Sequence, residues 1–186
     1  MPHRVCPWWL GYLLANPIRR WMGQDPQKIV GPYIREGMTV LEPGPGMGFF
    51  TIAMARLVGA NGRVVAVDLQ RKMIESLKRR AAKAGVAGRI DARIASADTM
   101  ALDNLSGRVD FTLAFAVVHE FPDAQHFFDQ VARASKSGAQ LLLAEPRGHV
   151  TNESFSAELA AASAAGFQSK SPPEIPRSLT ALLVKQ

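Results

Sequence analysis

The stretch Glu42-Pro43-Gly44-Pro45-Gly46-Met47-Gly48 constrains this chain more than any other. An apolar, β-prone run over residues 38–41 ends in an acid, glycine follows at every second position, and an apolar segment with helical spacing begins directly after. This is the pattern of a buried strand running into a turn and then into a helix N-terminus, a place where exposed backbone N–H groups favour a polar or anionic ligand. A nucleotide-like ligand is the first expectation. A plain connector uses the same residues, so the rest of the chain has to decide.

Strand and helix patterns alternate from there on. Residues 50–58 read as an apolar helix, and Asn61-Gly62 turns the chain into a strand over 63–68. A helix over 71–84 ends at Gly85, and 89–95 forms a strand of mixed polarity. The near-continuous apolar run 109–116 fits a parallel strand buried on both faces. A helix over 124–135 stops near Gly138 and feeds a buried strand over 139–145. Thr151 or Asn152 caps an alanine-rich helix reaching 165, with Phe155, Leu159 and Ala162 on its inner face. Two last strand candidates, 167–171 and 179–185, flank the proline-rich segment 172–176. Upstream, Asp25-Pro26 is a helix start, an N-cap acid with proline at the first helical position. Pro32 ends or kinks that helix and Gly37 closes the segment. The alternation predicts an α/β fold, a doubly wound parallel sheet with ligands at the carboxyl ends of its strands.

With 186 residues the chain suits one domain with a sizeable core. The single cysteine, Cys6, excludes an internal disulfide and a Cys-rich zinc site, and no metal is expected. No apolar run reaches the roughly 20 residues of a membrane span, and no leader with a cleavage site stands out, so the cytoplasm is the expected location. The net charge of +6 invites an anionic partner. Its densest cluster, Lys78-Arg79-Arg80 with Lys83, shares a helix with the apolar stripe Met73, Ile74, Leu77, Ala81 and Ala84. That makes it a solvated face, and no basic stretch is interleaved with aromatics as a nucleic-acid platform requires.

Polar residues at the predicted carboxyl ends are few: Glu42, Asp68, Asp98, His119 with Glu120, and Glu145 with His149. Asp68 ends an apolar strand downstream of the glycines, where a carboxylate can accept from both hydroxyls of a ribose. The dinucleotide fingerprint Gly-x-Gly-x-x-Gly would need glycine at position 49, where Phe49 stands. The third glycine comes one residue early, which points away from a nicotinamide dinucleotide.

Over residues 25–186 the chain resembles the class I S-adenosylmethionine-dependent methyltransferases. Glu42-Pro43-Gly44-Pro45-Gly46-Met47-Gly48 is similar to their acid-x-Gly-x-Gly-x-Gly motif, and Val67-Asp68-Leu69 to their ribose-binding motif. Ser96-Ala97-Asp98-Thr99 resembles the adenine-contacting motif. The stretches Val109-Asp110-Phe111 through Val118-His119-Glu120-Phe121-Pro122-Asp123, and Lys136-Ser137-Gly138-Ala139-Gln140-Leu141, match the remaining two in order. The nearest resemblance is to small-molecule enzymes of the ubiquinone/menaquinone-biosynthesis type.

The resemblance implies a Rossmann-like, mostly parallel seven-stranded sheet with an antiparallel last strand, in three α/β/α layers. It implies S-adenosyl-L-methionine as cofactor, with S-adenosyl-L-homocysteine as product. The cofactor-binding residues carried over are Glu42, Gly44, Pro45, Gly46, Gly48, Asp68, Leu69, Met73, Ala97, Asp98, Thr99, Ala114 and Phe115. Leu69 and Met73 would sandwich the adenine, and Asp98 would accept from its amine. His119 is the candidate general base, with Glu120 able to orient its ring, and Glu145 and His149 are candidate acceptor contacts.

Residues 1–24 form an aromatic appendage to the domain at 25–186, and Trp8, Trp9 and Tyr12 suggest a lid over the acceptor. A homodimer contact, packing on the sheet edge and shallow docking on a membrane surface are the competing roles. The expected function is methyl transfer to a small-molecule acceptor. The alternatives are an RNA methyltransferase and a non-catalytic S-adenosylmethionine-binding protein. The former is disfavoured because Ala116-Val117-Val118-His119 stands where an Asn/Asp-Pro-Pro-aromatic motif would be.

Overall fold

The computed structural model describes residues 24–186 with the exception of Ala97. Its elements run α1 (Pro26–Val30), β1 (Thr39–Pro43), α2 (Thr51–Leu57), β2 (Arg63–Asp68), α3 (Arg71–Lys83) and β3 (Ile90–Ile94). They continue with β4 (Val109–Phe115), α4 (Ala124–Ala134), β5 (Ser135–Pro146), α5 (Asn152–Ala164), β6 (Phe167–Lys170) and β7 (Ser178–Lys185). The seven strands form one sheet in the order β3-β2-β1-β4-β5-β7-β6. β1, β2 and β3 pair in parallel, as do β4 and β5, while β7 is antiparallel to both β5 and β6. This is the doubly wound sheet with an antiparallel last strand that the alternation and the resemblance imply. Among the described residues no helix is long and apolar enough to cross a membrane. Contacts gather the described residues into two compact units, one ending at Ala101 and the other beginning at Leu102.

In the first unit, Asp25 caps α1 by accepting from the Gln27 N–H at 3.1 Å, and the helix stops at Val30 ahead of Pro32. β1 and β2 are apolar on both faces, with Val40, Leu41, Val64, Val65 and Ala66 fully buried. α3 covers β2 with the predicted stripe: Ile74 and Leu77 pack on Ala66, with Ile90 and Ala92 of β3 alongside. The opposite face of α3 exposes Lys78, Arg79 and Lys83 to solvent.

In the second unit, β4 and β5 carry the core, with Phe111, Leu113, Leu141, Leu142 and Leu143 fully buried. β5 starts at Ser135, four residues before the sequence pattern places it. The cause is a shift of register: Val109 faces Ser135 but Phe111 faces Gln140, and Gly138 takes a φ of 77° inside the bulged stretch. The glycine therefore bends the entering strand instead of ending the helix before it. Thr151, whose hydroxyl accepts from the Ser154 N–H at 3.1 Å, is the cap of α5. The buried residues of α5 are Phe155, Glu158 and Ala162, so a carboxyl occupies the inner face expected for Leu159.

Candidate functional site

In the first unit the glycine turn, Glu42 and Asp68 meet at the carboxyl ends of β1 and β2. Glu42 is buried, and its Oε2 accepts from the Thr51 hydroxyl at 2.5 Å. Burial pushes its carboxyl up to about 8; the Thr51 hydrogen bond opposes this and the charge of Asp68 adds to it. Asp68 accepts from the Gln70 N–H at 2.8 Å and from the backbone of Gly46. Burial lifts Asp68 to about 6, against the pull of those two amides. Two carboxyls disfavoured as anions thus sit beside one turn, a setting that a cationic ligand would relieve.

The three glycine amides of the turn are engaged from within. Gly44 N–H donates to Val67 O and Gly48 N–H to Pro45 O, each at 2.9 Å, and Gly46 is held to Asp68. These three N–H groups are therefore not the ones left open to an anion. The glycines serve the backbone path instead, and two of them differ in kind. At Gly48, with φ +86°, a Cβ would run into the Leu77 side chain. At Gly46, with φ +54°, a Cβ would meet nothing within 4 Å. Gly48→Ala is expected to cost about 2–4 kcal/mol of stability, from the left-handed backbone and the overpacked Leu77. Gly46→Ala, with nothing within 4 Å of the added methyl, should cost only about 1–2 kcal/mol. Denaturant unfolding of both variants measures the difference.

Leu69 is 43% exposed just past β2, and Ile94 at the end of β3 is equally exposed. Large apolar side chains bare at the carboxyl ends of neighbouring strands suit a flat aromatic ring. Met73, expected beside Leu69, is instead buried against Met47. Asp98 and Thr99 are exposed, in a turn where Ser96 N–H donates to Thr99 O at 3.1 Å, and Ala97 lies outside the described residues. Open space over Gly46, an acid at the end of β2 and bare Leu69 together fit the methionine, ribose and adenine parts of S-adenosylmethionine.

In the second unit the chain turns sharply after β4. Ala114 is buried and Phe115 half-buried, and Ala116 adopts a φ of 55°, left-handed backbone that costs a non-glycine residue about 1–2 kcal/mol. Its N–H donates to Ala144 O at 2.7 Å, and the next two amides, of Val117 and Val118, point at Glu145. Glu145 Oε1 accepts both, at 3.2 and 2.7 Å, while Oε2 accepts from His119 Nδ1. With its Nδ1 proton on a carboxylate, a neutral His119 keeps a free lone pair on Nε2.

Burial alone would lower the proton affinity of His119, but the hydrogen bond and charge of Glu145, with smaller contributions from Glu120 and Glu158, leave its pKa raised above the usual histidine value. The His149 ring stacks beside it with centroids 6.2 Å apart. Glu145, expected among the acceptor contacts, is fully buried. Both of its oxygens are engaged from within, and through Nδ1 it orients the His119 ring. Glu158 was not singled out in the sequence; its signal was a spacing of three from Phe155. Trp8, Trp9 and Tyr12 lie outside the described residues.

Residues 34–176 match the family described as a methyltransferase domain. The ubiquinone/menaquinone biosynthesis C-methyltransferase UbiE of Hydrogenovibrio crunogenus is 31% identical over 113 residues, 60% of this chain and 43% of that protein. The chain thus spans less than half the length of that relative. A solved SAM-dependent methyltransferase of Aquifex aeolicus superposes with a TM-score of 0.83 at 23% identity, over 97% of this chain and 98% of that one. The [4+2]-cyclase SpnF superposes with a TM-score of 0.67 at 18% identity, over 80% of this chain and 59% of that one. These two likenesses concern the fold, which by itself does not assign a reaction.

Proposed function

This chain belongs to the methyltransferase domain family, and from that premise we propose that it moves a methyl group from S-adenosylmethionine to a small protic acceptor, with His119 as the base. The observation that carries the reading is the turn after β4, where buried Glu145 grips two backbone amides and the imidazole at once. Such an arrangement fixes a base by tautomer and direction, which proton removal from an acceptor requires. The similarity to a C-methyltransferase over less than half that protein's length supports a small acceptor.

In this reading the Gly44–Gly48 turn lies along the methionine part of the donor, with Glu42 accepting from its ammonium group. Asp68 holds the ribose hydroxyls, and Leu69 and Ile94 cover the adenine. Asp98 and Thr99 lie at its rim. When bound, S-adenosylmethionine supplies an electrophilic methyl on a sulfonium, and the protein's share is alignment and removal of the acceptor's proton. His119 Nε2 takes that proton, and Glu145 stabilises the imidazolium that results. Asp68→Asn is expected to weaken S-adenosylmethionine binding about tenfold to hundredfold, since hydrogen bonds to a charged acceptor are worth about 1.5–3 kcal/mol each. Calorimetry at pH 8, with Asp68 ionised in the wild type, measures it.

Incubation with methyl-labelled S-adenosylmethionine and a cell extract split into metabolites and RNA tests the function. Label in a low-mass product is expected. Label confined to RNA would replace the acceptor class, and label in neither fraction would favour a cofactor-binding protein without transferase activity.

A further inference from the structure

β5 ends at Pro146 opposite Ser178 of β7, and just past that pair Arg147 N–H donates to Arg177 O at 3.0 Å. The antiparallel register therefore sets two arginines side by side at the end of β5 where Glu145 grips His119. From Arg147 the chain folds into a tight turn in which His149 N–H donates to Pro146 O at 3.0 Å, and the His149 ring stacks beside His119. The imidazoles and the arginine pair thus share one short stretch of backbone.

Arg147, His149 and Arg177 are exposed. Among the described residues neither guanidinium has an ion pair or a side-chain hydrogen bond, although Glu153 and Glu174 stand exposed close by in the chain. The backbone at Arg177 adds an independent sign. Ser178 N–H donates to Ile175 O at 3.1 Å, closing a β-turn with Pro176 and then Arg177 at its centre, the latter at a φ of 63°. Proline followed by positive φ is the pattern of a type II turn, whose second central place belongs ordinarily to glycine. An arginine there holds left-handed backbone that glycine would hold at lower cost, and an exposed side chain gains no packing in return.

We propose that Arg147 and Arg177 bind an anionic group, a carboxylate or a phosphate, carried by the acceptor that meets His119. A guanidinium donates through a planar fork that fits either group, and it keeps its charge at any physiological pH. Two such groups without an internal counterion make a site for one anion. The acceptor class is then a small organic acid or phosphate ester, held with its protic atom toward the imidazole. The inference rests on methyl transfer with His119 as the base. Anion binding is measured without turnover, so the two readings fail separately.

Binding is read by NMR from the His149 imidazole of the full chain, assigned with His149→Asn. The probes are benzoate for a carboxylate, phenyl phosphate for a phosphate ester, and benzyl alcohol as the uncharged control. A saturable shift with a millimolar midpoint is expected from one or both anions and not from the alcohol, and the tighter anion identifies the group. Arg147→Gln and Arg177→Gln should each weaken that binding about tenfold, since each removes charge-assisted hydrogen bonds. Arg177→Gly should weaken it equally while raising the folding constant about fivefold, by relieving the left-handed backbone. No saturation by either anion, an equal response to benzyl alcohol, or unchanged binding in both glutamine variants would overturn the proposal. So would a loss of stability in Arg177→Gly, which would mean that the arginine serves the fold. When the methyl-labelled product is recovered, an acidic low-mass compound agrees with the inference. An uncharged product or labelled RNA overturns it and leaves methyl transfer standing.

Discussion

Glu145→Ala should lower stability by about 3–5 kcal/mol, the largest single loss expected from any side chain near the site. The carboxylate is fully buried and accepts from Val117 N–H, Val118 N–H and His119 Nδ1. Its removal leaves two buried amides and an imidazole without an acceptor, beside a backbone already held at positive φ by Ala116. For a chain of this size each kcal/mol shifts the melting temperature by about 2–4 °C, so a fall of about 10 °C is expected. Glu145→Gln keeps an oxygen for the amides and should lose less than half as much. Equal melting temperatures for Glu145→Ala and wild type would mean that the turn after β4 is held by something else. The pairing also carries a sign. Because Glu145 leaves His119 with a raised pKa, its contribution is complete below the unfolded histidine value and is lost as pH rises through the folded one.

His119→Ala should lower turnover by about 10²–10³-fold, the usual contribution of a positioned base. Affinity for S-adenosylmethionine should change by less than about twofold, because the donor is assigned to residues of the other unit. The wild-type rate should rise with pH through a value above the ordinary histidine pKa, and the variant should lack that rise. Steady-state kinetics across pH, paired with binding measurements, checks both. A variant with wild-type turnover would leave His119 as a packing residue, and a matching loss of affinity and turnover would move it to the donor.

The architecture was legible because its signals are local. Glycine spacing, apolar runs of strand length and capping residues such as Asp25 and Thr151 each act within a few residues, and the sheet follows from their alternation. The start of β5 was not legible. Gly138 reads as a stop, and only the pairing of β4 with β5 shows that the strand begins at Ser135 and bulges.

The site divides along the same line. Gly46, Asp68 and His119 announce themselves through motif position, whereas the partners that tune them are distant in sequence. Glu145 lies 26 residues from His119, and its role depends on which way β5 turns it. On α5 the spacing places Leu159 inward, and it does not reveal that the Glu158 carboxyl takes the inward position instead. The glycine turn differs from its sequence pattern in one respect. Its glycine amides are taken by Val67 O, Pro45 O and Asp68, and only the fold brings β2 beside the turn.

The turn after β1 and the acid at the end of β2 are expected to hold S-adenosylmethionine and not a nicotinamide dinucleotide. Titration calorimetry of the full chain against each ligand tests it most directly. One-site binding of S-adenosylmethionine with a Kd of about 1 μM to 1 mM is expected, and no heat from the dinucleotide. Binding of the dinucleotide without binding of S-adenosylmethionine would contradict it.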